Sequence, residues 1–90
     1  MEVNPKSDRA WFQLARAQER GGDLAPAADS LTRAIAINPR SSSYYYVLAG
    51  VYRRLGKMNE NREAMETFVR LNRETDALEE KRREALRPHE

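Results

Sequence analysis

Apolar residues recur every three or four positions along most of the chain, in four stretches separated by short polar segments. In the first two stretches they are Ala10, Trp11, Leu14, Ala15, Ala17, Leu24, Ala27, Ala28, Leu31, Ala34, Ile35 and Ile37. In the last two they are Tyr45, Leu48, Ala49, Tyr52, Met58, Met65, Phe68, Val69 and Leu71. This spacing places apolar side chains on one side of an α-helix. It predicts helices over residues 8–20, 24–37, 43–54 and 58–72.

The segments between the predicted helices carry residues that end one helix and begin the next. One of the two glycines at 21–22 can adopt the left-handed conformation that ends a helix, and Asp23 can cap the helix that follows. Pro39 stops the second helix, and one of the serines at 42–43 can cap the third. We therefore expect antiparallel helix pairs joined by short turns.

The chain repeats itself after 34 residues, since VNPKS at 3–7 returns as INPRS at 37–41. When the sequence is shifted by this period, apolar residues fall on apolar residues throughout both helices. The aligned pairs include Trp11 with Tyr45, Leu14 with Leu48, Ala15 with Ala49, Gly22 with Gly56, Leu24 with Met58, Leu31 with Met65 and Ile35 with Val69. A period of this length indicates a repeated pair of helices, stacked so that neighbours bury each other's apolar faces.

The residues at the key positions of the first unit are Trp11, Leu14, Ala27, Leu31, Ala34 and Pro39, and this pattern resembles the tetratricopeptide repeat. The second unit departs from that pattern, because Asn61 and Phe68 occupy small alanine positions and Arg73 replaces the closing proline. The resemblance implies an all-α, right-handed solenoid of helix-turn-helix repeats, with one repeat over 8–41 and another over 42–75. Residues 1–7 then resemble the tail of a preceding repeat, as in a C-terminal fragment of a longer protein.

After Leu71 charged residues dominate, and the apolar residues thin out to Ala77, Leu78, Ala85 and Leu86. A stack of repeats needs a last helix with one polar face, and residues 76–87 are predicted to form this capping helix. Asp76 followed by Glu79 fits a capping box, which favours a turn and a cap that folds back. The alternative is one long helix continuous with the fourth, packed against another chain, since nothing in 72–76 forbids helix.

In tetratricopeptide proteins the first helix of each pair lines a concave groove that receives a peptide or a partner's helix. The resemblance therefore implies a groove formed by outward-facing positions of the first and third helices. The candidate binding residues there are Arg9, Phe12, Arg16, Arg20, Tyr46, Arg53 and Arg54. Aromatic residues flanked by arginines suit an acidic peptide, because a guanidinium group holds a carboxylate through two parallel hydrogen bonds. The alternative is that these arginines only keep the surface soluble.

Four tyrosines lie close together on the third helix. Tyr45 and Tyr52 are seven positions apart, so both are predicted to face the partner helix of their own repeat. Tyr44 and Tyr46 must then point elsewhere. They either pack between adjacent repeats or, in the case of Tyr46, face the groove.

Composition excludes several classes of protein. The chain has no cysteine, which rules out disulfides and thiolate metal sites, and its only histidine is His89, next to the C-terminus. Its longest apolar run has nine residues, 44–52, against the ~18 needed to cross a bilayer. The charged start also argues against a secretory signal, so we expect a cytoplasmic protein without a membrane partner.

Net charge is +4 over residues 1–57 and −2 over 58–90. The isoelectric point is near 9.2, but the acidic residues interrupt any basic stripe, so we expect no nucleic-acid partner. We predict no catalytic residue, cofactor or metal. The predicted function is a non-catalytic protein–protein interaction module, and the alternative is an oligomerisation element acting through the charged C-terminal helix. Because two repeats bury only a small core, we also expect self-association into a homo-oligomer.

Overall fold

The computed structural model describes residues 6–86 of the 90-residue chain. Its four helices are α1 (Asp8–Arg20), α2 (Leu24–Ile37), α3 (Ser42–Arg54) and α4 (Met58–Leu86). α1 packs against α2, α3 packs against α4, and α2 also contacts α3. The predicted all-α fold of helix-turn-helix repeats is confirmed. Most of residues 1–7, predicted to be a repeat remnant, lie outside the described residues.

Both turns within the helix pairs are built on a glycine in the left-handed region. Gly22 has φ 84° and Gly56 has φ 78°, a conformation that a side chain at Cβ disfavours. The predicted caps are only partly right. Ser41, not Ser42 or Ser43, is the N-cap of α3, and its side chain makes no capping hydrogen bond.

The main core lies between the α1–α2 pair and α3. Ala15, Ala27 and Leu31 are fully buried there, and Leu48 and Val51 of α3 pack onto them. Three small alanines on α2, Ala27, Ala28 and Ala34, have an exposed fraction of 9% or less. Since alanine adds little bulk, the backbones of α2 and α3 can approach closely at these positions.

Tyr44 joins the two repeats. Its ring lies 4.8 Å from the Phe12 ring, and its hydroxyl donates a 2.6 Å hydrogen bond to Asp8 Oδ2. Burial and this bond to Asp8 raise the pKa of Tyr44 to about 12. Hydrogen bonds from Tyr44 and then Asn38 lower the pKa of Asp8 below its ordinary value of 3.8. Tyr44 is therefore a packing residue between adjacent repeats.

α4 is one helix of 29 residues, so the favoured prediction of a turn and a folded-back cap is wrong. The chain from Met58 to Leu86 contains neither proline nor glycine to interrupt it. Thr75 does not cap a new helix, because its hydroxyl donates to the Leu71 carbonyl, 3.0 Å away and four residues earlier. Every residue from 73 to 86 is exposed, so the C-terminal half of α4 projects from the helix pairs.

Candidate partner-binding surface

The predicted groove residues fall into two groups. Phe12 and Arg16 on α1 are half-buried, and the Phe12 ring is covered on one side by Tyr44. The remaining predicted residues are exposed; they are Arg9, Arg20, Tyr46, Arg53 and Arg54. Phe12 is therefore less accessible than its outward position in the sequence pattern implies.

Arg16, Glu19 and Arg54 meet where the C-terminal ends of α1 and α3 lie side by side. Arg16 Nη1 lies 3.6 Å from Glu19 Oε2, and Arg54 Nη1 donates to the Glu19 carbonyl at 3.4 Å. The Arg16 side chain is 40% exposed, whereas the Glu19 side chain is 23% exposed and its Oε2 atom is buried without a hydrogen bond. The two contacts bring two of the predicted arginines together around Glu19, one at its carboxylate and the other at its backbone carbonyl.

Tyr46 and Phe68 form an aromatic pair across α3 and α4, with their ring centroids 5.2 Å apart. Phe68 stands at the alanine position in which the second repeat departs from the tetratricopeptide pattern. Its ring covers one side of Tyr46, much as Tyr44 covers Phe12 in the first repeat. Tyr46 nevertheless keeps 58% of its surface exposed.

An open groove starts beside this aromatic pair, where α3 meets α4, and continues along a face of α4 alone; we call it the α3/α4 groove. One part, of about 490 Å³, is lined by Tyr46, Gly50, Arg53, Met58, Asn61 and Met65. A second part, of about 540 Å³, shares Asn61 and Met65 and is bordered by Arg62, Glu66, Val69, Arg70 and Arg73. Three of its lining residues are large and apolar, and four are arginines.

Asn61 fixes the floor of the α3/α4 groove. Its side-chain Nδ2 donates a 2.7 Å hydrogen bond to the backbone carbonyl of Ala49 on α3. The residue at the same place in the first repeat is Ala27, which is fully buried. The amide therefore replaces apolar packing by a directional bond between α3 and α4.

The sequence reasoning placed Tyr46 and Arg53 at a binding surface but assigned Met58, Met65 and Val69 to a core stripe. In the structure Met58 and Val69 expose 58% and 40% of their surface. The repeat alignment could have indicated this exposure, because these three residues match Leu24, Leu31 and Ile35 of the first repeat. Leu31 is fully buried, and Leu24 and Ile35 are half-buried against the core that α3 closes, whereas residues 73–86 do not turn back over the groove.

Residues 6–86 contain neither a candidate metal site nor a candidate membrane span. No group of three or more acidic or histidine side chains there is arranged to hold a metal ion. None of the described helices combines the length and the apolar character needed to span a membrane. His89 lies outside the described residues.

A family model described as tetratricopeptide repeat matches residues 2–42 and 12–74 of the chain. The chain belongs to the tetratricopeptide repeat family. Proteins of this family generally mediate protein–protein interactions, and the repeats typically serve as non-catalytic scaffolds.

This tetratricopeptide chain is also similar to a solved structure titled "Crystal structure of MamA". The two share 31% sequence identity with a TM-score of 0.74 over 76% of this chain. The match spans 40% of the MamA chain, about two fifths of its length. No curated protein matches the tetratricopeptide chain.

Proposed function

We propose that this tetratricopeptide module is a non-catalytic binding surface for an acidic peptide or partner helix, which lies along the outward faces of α1 and α3. The observation that carries the proposal is the charge of these faces. Five arginines, at positions 9, 16, 20, 53 and 54, occupy the outward positions, against one glutamate, Glu19. Tyr46 adds an exposed aromatic ring among them.

The chemistry of these side chains favours carboxylate ligands. Arginine presents planar donors that match a carboxylate with two hydrogen bonds, and aromatic and arginine residues contribute most of the binding energy at many interfaces. Arg16 and Arg54 are already held near each other by Glu19, which reduces the entropy lost when a ligand binds. Arg53 and Tyr46 lie further along, on α3.

The test uses an extended, proline-containing acidic peptide, so that no helix needs to form. Replacing Arg16 and Arg53 together by alanine is expected to weaken its binding about tenfold or more, measured by fluorescence anisotropy at low salt. The matched control removes the same two charges elsewhere, by Arg40→Ala with Arg83→Ala. If the two double variants bind equally well, the arginines of α1 and α3 are not the site.

A second candidate function, assembly of several copies, is favoured by the projecting half of α4. Leu78 and Leu86 there expose 64% and 76% of their surface, so they are the large apolar residues that a contact between projecting helices would bury. Sedimentation velocity over a concentration series checks this candidate. We expect association that is lost in the variant Leu78→Glu with Leu86→Glu, and a wild type that stays monomeric at tens of micromolar would contradict it.

A further inference from the structure

The α3/α4 groove repeats a surface that is covered elsewhere in the same molecule. In the first repeat, Leu24 and Ile35 pack against a core closed by Leu48 and Val51 of α3, with Leu31 fully buried beneath them. The residues 34 positions later, Met58, Met65 and Val69, line an open groove. A surface built on the same plan therefore lacks its covering helix within residues 6–86.

Gly50 lines this groove in the middle of α3. It does not have a positive φ, and a Cβ added to it would meet nothing within 4 Å. Alanine would therefore fit, and it favours a helix interior more than glycine does. No neighbour within residues 6–86 requires a glycine here, and the absence of a side chain would let the backbone of an approaching helix come close to α3.

The groove also carries a strong positive charge. Arg53, Arg62, Arg70 and Arg73 border it, against the single acidic side chain Glu66. Apolar residues in the middle with arginines on the border complement a helix that has an apolar stripe flanked by carboxylates.

We propose that the α3/α4 groove binds an amphipathic, acidic helix of a partner protein. Its apolar stripe lies on Met58, Met65 and Val69, its backbone comes closest at Gly50, and its carboxylates pair with the bordering arginines. This inference rests on the proposed function and specifies the ligand as a helix in this groove. Methionine side chains suit such a role, since they adapt to differently shaped apolar partners.

The placement of the exposed leucine on α4 argues against a second copy as the occupant. The exposed Leu78 lies thirteen residues after Met65, a rotation of about 220° around an α-helix. A straight α4 therefore presents Met65 and Leu78 on different sides. Two copies cannot use one shared face both to offer the groove and to insert Leu78.

The experiment uses a synthetic helix of about 18 residues, with leucines at i, i+3, i+4 and i+7 and glutamates beside them. Its control carries lysine in place of every glutamate. Binding to the full chain is measured by calorimetry. We expect the glutamate helix to bind at least about tenfold more tightly than the lysine helix.

Gly50→Phe places a large side chain in the groove and is expected to reduce binding of the glutamate helix by about tenfold or more. Ala36→Phe is the matched control and should bind within about threefold of wild type, because Ala36 is exposed on α2 and lines neither part of the groove. A second variant, Arg62→Glu with Arg70→Glu, should reverse the preference between the two helices. Circular dichroism of each variant verifies that it is folded.

Equal binding by Gly50→Phe and Ala36→Phe, with no effect of the charge reversal, would overturn this inference. The proposed function would still hold after that result if binding of the extended acidic peptide depended on Arg16 and Arg53. The proposed function itself is wrong if the extended peptide binds equally well without those arginines. If the wild type self-associates and Gly50→Phe alone makes it monomeric, the occupant is a second copy and the inference of a foreign helix is wrong.

Discussion

The two repeats place equivalent residues on equivalent faces, yet only the first repeat has these residues buried. Leu31 has no exposed surface, whereas Met65, 34 residues later, is half-buried at the edge of an open groove. The difference does not come from the helix pair itself, since α3 and α4 pack together as α1 and α2 do. It comes from the neighbour, because α3 lies on the first pair and residues 73–86 leave the second pair uncovered.

The aromatic pairs of the two repeats also differ in which helix supplies the covering ring. In the first repeat Phe12 is covered by Tyr44, which belongs to the next repeat. In the second repeat the equivalent Tyr46 is covered by Phe68 of its own partner helix. The second repeat therefore has an aromatic contact within the repeat where the first repeat has one to its neighbour. The remainder of its face stays open around Gly50.

The largest expected effect separates the two equivalent apolar positions. Leu31→Ala should lower the free energy of unfolding by about 2–5 kcal/mol, because it leaves a cavity in a fully packed core. Met65→Ala should lower it by less than about 1 kcal/mol, because its groove is already open to water. Urea unfolding followed by circular dichroism measures both.

Ile35→Val and Val69→Ala serve as milder controls, each removing little volume at a second pair of equivalent positions. If Leu31→Ala and Met65→Ala cost the same, the two faces are equally buried in solution. An oligomer that covers Met65 would give that result, and unfolding at two protein concentrations would reveal it, since only an oligomer gains stability with concentration.

The sequence was sufficient to predict the helix pairs and their turns. The 3-4 spacing of apolar residues fixes which face of each helix is buried, and Gly22 and Pro39 mark ends that depend on backbone conformation alone. These signals are local, so they can be read from the sequence without knowing which helices pack alongside. The bounds of α1 and α2 agree with the prediction, and α3 begins one residue earlier.

The course of α4 and the α3/α4 groove were harder to predict, because both depend on packing. Asp76 and Glu79 fit a capping box in sequence, but helix continues through them when no proline or glycine interrupts it. Met65 reads as core in a periodic pattern whether or not a helix covers it. Periodicity identifies an apolar face, and only a three-dimensional neighbour decides whether that face is a core or a binding surface.

The smallest expected effect concerns the contact between repeats at Tyr44. Tyr44→Phe keeps the ring against Phe12 and removes the hydroxyl that donates to Asp8, so it should destabilise the chain by about 1 kcal/mol at neutral pH. Tyr46→Phe is the matched control, since the exposed Tyr46 ring needs no such bond, and should change stability little. Equal losses for the two variants would contradict the assigned role of Tyr44.

The pH dependence of this difference tests the hydrogen bond itself. The bond lowers the pKa of Asp8, so the stabilisation it provides is present above pH 3.8 and is lost as the pH falls through the lower folded-state value. The pKa of Tyr44 is raised from 10.0 to about 12, so its contribution is complete below pH 10 and is lost as the pH rises through about 12. The advantage in stability of wild type over Tyr44→Phe should therefore be greatest between these limits and be lost at both extremes, as measured by urea unfolding at each pH. A constant difference would mean that the hydroxyl acts through packing alone, and the two repeats would then be joined by shape without a polar contact.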